Sequence, residues 1–261
     1  MSDVNPGPGP GPDPVAEATI VTAKATVVAA RATKYAAIIA AISLLVSASA
    51  IAISVYAAHL TRQQNINAEQ QELLSIVTDI EQQQNSPQSF ERVLADAESA
   101  QYIMNNLHNT GIPAVEEYEV GIALASGAAF QPALRLLENA ARQAPDPVDV
   151  AQSWREAANI QYALQQNQQA ENDMIFAKAA FTLKNSNMIN VENNIAYTDL
   201  YDIPRRSAID PNRGSQSCIT SEAEWKEAIQ KIDLYPGIVT SSVATQEKIA
   251  KEKLSTNCQY L

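Results

Sequence analysis

Few side chains in this chain could act as catalysts or metal ligands. It holds two histidines, His59 and His108, and two cysteines, Cys218 and Cys258, in 261 residues. A metal site would need more ligands than two cysteines and two distant histidines offer. His59 lies at the edge of a long uncharged run and His108 at a helix end before Asn109, so both read as boundary residues. The acid pairs Glu116-Glu117 and Asp199/Asp202 read as ordinary helix or loop charges. No phosphate-cradling glycine loop, HExxH or nucleophile elbow occurs. The expectation is a protein without a cofactor that is not an enzyme.

The cysteines carry the clearest chemistry. Ser221 and Glu224 have the spacing of a capping box and predict a helix start after Cys218. Tyr235-Pro236-Gly237 breaks that helix, and a second is predicted over about 241–255. A hairpin turning near Ile238 brings both cysteines to its open end. In an oxidising compartment a Cys218–Cys258 disulfide would close residues 218–261 into a clamped helical hairpin, contributing roughly 3–4 kcal/mol. Two unrelated reduced thiols are the alternative.

The elements upstream set the compartment. Residues 1–14 hold five prolines and three glycines and read as a flexible tail. Residues 15–34 predict a juxtamembrane helix with Lys24, Arg31 and Lys34. Residues 35–60 follow as a transmembrane helix. No charged side chain occurs between Lys34 and Arg62, which suits the roughly 20 residues needed to cross a bilayer. Tyr35 and Tyr56 sit near its ends, where amphipathic rings favour the interface. Ser43, Ser47, Ser49 and Ser54 can return their hydroxyls to helix carbonyls. A buried alanine-rich helix or a coiled coil is the competing reading.

The bases precede the apolar run, so the positive-inside rule predicts a cytoplasmic N-terminus and an extracytoplasmic C-terminal domain. Ala48-Ser49-Ala50 resembles a cleavage site, but apolar residues continue past it, which favours an uncleaved anchor. Small residues four apart, such as Ala36/Ala40 and Ser43/Ser47, leave open a homo-oligomer through this helix.

Net charge is −11, and residues 1–34 carry three acids against three bases, so the acidic excess lies downstream. An acidic surface repels phosphate backbones, which excludes nucleic acid as a natural partner. Scarce glycine and abundant alanine and glutamine favour helices over sheet. The fold class expected is all-α: one transmembrane helix followed by a stack of antiparallel helical hairpins over residues 62–184. Helices are predicted over 62–84 and 87–108, with Ser86 as N-cap and Pro87 at the first position. Residues 185–217, rich in Asn, Ser and Asp, with Pro204 and Pro211, predict an irregular loop in which Arg205-Arg206 is solvated.

Two segments share a pattern. In the first, Gly121 stands on one helix, Phe130 in the turn, Ala133 and Ala140 seven apart on the next helix, and Pro145 after it. In the second, Trp154 and Ala158 are followed by Ala170 and Ala177. Seven residues is two helical turns, so each alanine pair lines one seam. This pattern resembles the tetratricopeptide (TPR) repeat over about 115–184, under a third of the chain. Glu117 stands where the family's large aromatic is expected, and Asn185 near its closing proline. The resemblance implies a groove that holds a peptide or protein partner, hence a membrane-anchored scaffold or adaptor. A helical hydrolase acting on an envelope polymer and an oligomeric membrane stalk are the other readings kept open.

Overall fold

The structure, a computed structural model, describes residues 14–83, 90–107, 111–184, 186–212, 214–235 and 240–259. Among them are nine helices and no strand: α1 (Pro14–Gln83), α2 (Phe90–Asn106), α3 (Ala114–Ser126), α4 (Phe130–Gln143), α5 (Pro147–Ala163), α6 (Asn167–Leu183), α7 (Met188–Ile209), α8 (Gln216–Leu234) and α9 (Ser241–Cys258). The chain divides into two compact units, through Asn65 and from Ile66 onward. The tail through residue 13, the Ser86-Pro87 start and His108 lie outside the described residues.

Helix α1 meets no Gly or Pro from Val15 to Gln83, and nothing in the sequence interrupts its backbone ladder. It is the one helix among the described residues that is long and apolar enough to cross a membrane. Ile39, Leu44, Leu45, Ile51 and Ile53 are all well exposed. Its hydroxyls are satisfied internally: Ser47, Ser49 and Ser54 donate to the carbonyls of Ser43, Leu45 and Ala50 at 2.9, 2.8 and 2.8 Å.

The second unit begins with the last turns of α1. Leu73, Val77 and Ile80 join Val93, Ala97 and Met104 of α2 and Val120 and Leu124 of α3 in the largest apolar core. The pairs α3–α4 and α5–α6 then pack side by side across three-residue turns, and a chain that reverses so tightly leaves the paired helices antiparallel.

The two turns are the same structure 37 residues apart. Ala128 and Gln165 take φ of 61° and 60°. The Ala129 amide donates to the Leu124 carbonyl at 2.9 Å, and the Gln166 amide to that of Gln161 at 2.8 Å. The flanking residues Gly127 and Leu164 have φ of −81° and −83°. Gly127 therefore does not supply the left-handed residue of its turn. A Cβ there would lie 2.2 Å from Leu94 Cδ1, so any larger residue would have to displace the Leu94 side chain of α2.

Residues 185–217 differ from expectation. Most of them form α7, 22 residues long, with Pro204 inside it. Asn187 caps its start by accepting from the Asn190 amide at 2.9 Å. Pro204 contributes no N–H to the ladder. The helix persists because Ala196, Leu200 and Ile203 are all fully buried. Local polarity suggested a loop, and tertiary packing overrides such propensity.

The C-terminal hairpin is also corrected. Helix α7 packs against both α8 and α9, which touch each other far less, so the three form one bundle. Helix α8 starts earlier than the Ser221/Glu224 pair suggested. Ser215 is its N-cap, with its hydroxyl accepting from the Cys218 amide at 3.2 Å. Ser221 and Glu224 lie inside the helix and face the interior. Cys218 and Cys258 form a buried disulfide with Cα atoms 5.5 Å apart, joining the first turn of α8 to the last residue of α9.

Candidate functional site

The repeat-pattern residues fall on the hairpin seams. Ala133 and Ala140 on α4, Ala158 on α5, and Ala170 and Ala177 on α6 are all buried. Gly121 on α3 is buried too, and a Cβ there would meet Leu137 Cγ at 3.0 Å. Phe130 is half-buried at the start of α4, and Pro145 is exposed before α5. Trp154 is half-buried, with its ring 5.0 Å from that of Phe176 and the Arg142 guanidinium 5.9 Å above it. These residues build a scaffold; none of them converges with polar groups on a cleft.

The polar convergence lies next to them, where α5, α6, α7 and α8 meet. Lys178 of α6 pairs with Asp199 of α7 and, at 3.2 Å, with Glu224 of α8. Arg206 of α7 reaches Asp202 at 2.6 Å, Glu171 at 2.8 Å and Glu224 at 3.4 Å. The Tyr162 hydroxyl of α5 donates to Asp202 at 2.8 Å. Asp199 and Asp202 are 1% and 0% exposed. Two cations thus face three buried carboxylates, with Glu171 at the rim.

That imbalance decides the electrostatics. Burial disfavours the charged form of Glu224, and the Asp202 charge adds to this; its pKa rises to about 8. Burial also raises Asp199, to about 6, against the pull of Lys178. Burial alone would lower Lys178 and Arg206, but the Asp199 and Glu224 carboxylates outweigh it for the lysine, and Asp202 and Glu224 for the arginine. At neutral pH the buried set approaches neutrality by keeping a proton on Glu224.

Beside this junction lies a cavity of about 290 Å³, walled by α5, α6, α7 and the start of α9. Its buried charge is Arg155. Nη1 donates to Asn194 Oδ1 at 3.1 Å and to Thr198 Oγ1 at 3.2 Å. Asn194 is itself fixed, with its amide donating to the Ala177 carbonyl at 2.6 Å. The guanidinium carbon lies 4.7 Å from the Tyr197 ring and 6.0 Å from that of Tyr201. Arg205 covers Tyr201 at 3.8 Å, and the Tyr201 hydroxyl donates to Glu156 at 2.8 Å. Nearby, the Gln152 amide donates to Tyr118 at 2.5 Å. Burial and the Glu156 charge raise the Tyr118 pKa to about 12, so it stays a neutral phenol.

Sequence reasoning took Asp199, Asp202 and Arg205-Arg206 as solvated charges. The structure buries Asp199, Asp202 and Arg206, and half-buries Arg205. The Asp202/Arg206 spacing of four was the one legible signal, since it fits a helical ion pair. Lys178, Glu224 and Arg155 carried none. Glu117 and Asp173 are further buried acids, raised by burial to about 7 each. His59 stands exposed on α1. Among the described residues, no group of His, Cys, Asp and Glu could hold a metal ion.

No protein-family model, curated protein or solved structure matches the chain.

Proposed function

We propose that this protein is a membrane-anchored scaffold or adaptor that holds a protein or peptide partner on a TPR-like stack of helical hairpins. The observation that carries the reading is the duplicated hairpin: the same turn conformation and hydrogen bonds recur 37 residues apart on alanine-seamed helices. Stacked identical hairpins present successive helices along one face, which suits extended partners. The uncharged, exposed run of α1 supports the anchor. Three bases precede that run, favouring a cytoplasmic N-terminus. An extracytoplasmic body agrees with a buried disulfide, which persists in oxidising compartments.

Two measurements test it. Impermeant maleimide applied to intact cells should label Cys218 and Cys258 only after reduction and unfolding of the exported domain. Labelling that needs membrane permeabilisation but no reductant would remove the topology and the disulfide together. For the scaffold, crosslinking in detergent extract should join the folded protein to a partner through the α3–α6 face. Folded protein that yields no crosslinked partner would remove the binding role.

A further inference from the structure

Arg155 is a buried cation with no carboxylate paired to it. It is 8% exposed, yet its Nη1 donates to the neutral groups of Asn194 and Thr198. The cations of the neighbouring junction do have carboxylates: Lys178 has Asp199 and Glu224, and Arg206 has Asp202. Burial lowers the Arg155 pKa although the nearby Glu156 charge acts the other way, whereas Arg206, in contact with Asp202, is raised. A guanidinium taken out of water without a direct ion pair is costly unless something supplies one.

The cavity that Arg155 lines has a second source of positive potential. Thr240 and Ser242 form its far wall, and they are the N-cap and second residue of the 18-residue α9. The first amides of a helix have no partner within it, and the aligned peptide dipoles place roughly half a positive charge there. Guanidinium and helix end come from different elements and meet on one cavity. Their combined charge suits a single negative charge. Glu156 lies close enough to raise both Tyr118 and Tyr201, which disfavours a dianion.

We propose that this cavity binds a ligand carboxylate, that of a small organic acid or of a peptide C-terminus. Arg155 takes the carboxylate in its fork, and the first turn of α9 caps the same charge. The ring of Tyr197 backs the guanidinium and holds its plane. Helix α9 lies outside the hairpins that carry the repeat pattern. The inference depends neither on the anchor nor on the partner proposed above.

The test uses the full chain in non-ionic detergent micelles at low salt, with ligand-observed NMR titrations. N-acetylglycine should bind saturably, with a dissociation constant of about 1 mM, as one charge-assisted anchor allows. N-acetylglycinamide, which lacks the charge, should bind at least about tenfold more weakly. Arg155→Gln should lose a similar factor. Because that variant disturbs a buried network, Ser242→Glu is the second arm. Residue 242 is exposed, and an acid in the first turn of a helix is favourable to folding. Its carboxylate would occupy the site and should also weaken N-acetylglycine about tenfold. A tetrapeptide acid binding more tightly than N-acetylglycine names a peptide end as the source. The reverse order names a small acid, and both support the site. Equal binding of acid and amide, tighter binding of inorganic phosphate, or an unchanged affinity in folded Ser242→Glu would overturn the proposal.

Discussion

Between α3 and α6 the helices meet through Ala133, Ala140, Ala158, Ala170 and Ala177, each no more than 1% exposed. Where α6, α7 and α8 meet, the contact is made instead by Lys178, Asp199, Asp202, Arg206 and Glu224, of which the two aspartates are buried as deeply as the alanines. Both contacts are close-packed, but they fail differently. An alanine seam tolerates the loss of any one partner, because no atom in it needs a specific mate. A buried ionic junction does not, since each charge depends on its neighbours to offset desolvation. The alanine seam recurs and is shape-specific, whereas the junction is singular. It joins the hairpins to a bundle that the disulfide already closes.

The largest expected effect is at the junction. Arg206→Met leaves Asp202 buried without its partner and should cost about 3–5 kcal/mol in thermal or denaturant unfolding. A loss below about 1 kcal/mol would mean the junction charges are solvated, and the contrast with the seam would disappear. In the seam, Ala170→Leu should cost less, about 1–3 kcal/mol, through overpacking alone. If it costs more than Arg206→Met, the seam is the more demanding contact.

The third test is pH. Glu224 has a folded pKa of about 8 against an ordinary 4.5, so the native state binds the extra proton. Its contribution to stability is complete below about pH 4.5 and is lost as pH rises through about 8. Asp199, at about 6, has the same sign, as do Glu117 and Asp173 at about 7. Melting temperature should therefore fall between pH 5 and 9. Glu224→Gln should flatten the part near pH 8 most, because Glu224 has the highest of these pKa values. A variant with the unaltered slope would assign that proton elsewhere.

The smallest effect separates the two kinds of turn residue. Ala128 holds a left-handed φ of 61°, which costs a non-glycine residue roughly 1–2 kcal/mol. Ala128→Gly should stabilise by about 0.5 kcal/mol after the added freedom of the unfolded chain is counted. Gly127→Ala next to it should destabilise, through the 2.2 Å approach to Leu94 Cδ1. Equal effects of the two changes would deny that φ and close contact divide the turn between them.

Legibility followed the range of the interactions. The absence of Gly and Pro from Val15 to Ser86 predicts an uninterrupted helix, and α1 runs without a break from Pro14 to Gln83. The serine hydroxyls of that run bond within one turn, as their spacing allowed. Helix α7 was hidden because its Asn, Asp and Pro content argues locally against a helix. What holds it is packing against elements up to 50 residues away, such as the Asn257 amide donating to Ser207 at 3.0 Å. The capping-box reading failed for the same reason: Ser221 and Glu224 have the right spacing, but Glu224 serves Lys178, 46 residues distant.

From the sequence alone came an all-helical chain with one long apolar helix, a seven-residue alanine spacing, and two cysteines set to meet. These rest on periodicity and composition, which act through the few residues around each position. The pairing of Lys178 with Asp199 and Glu224, the burial of Arg155 without a direct ion pair, and the start of α9 beside it were decided only by tertiary structure. A charge's partner is set by which helices come together in space, and no local pattern in the chain encodes that.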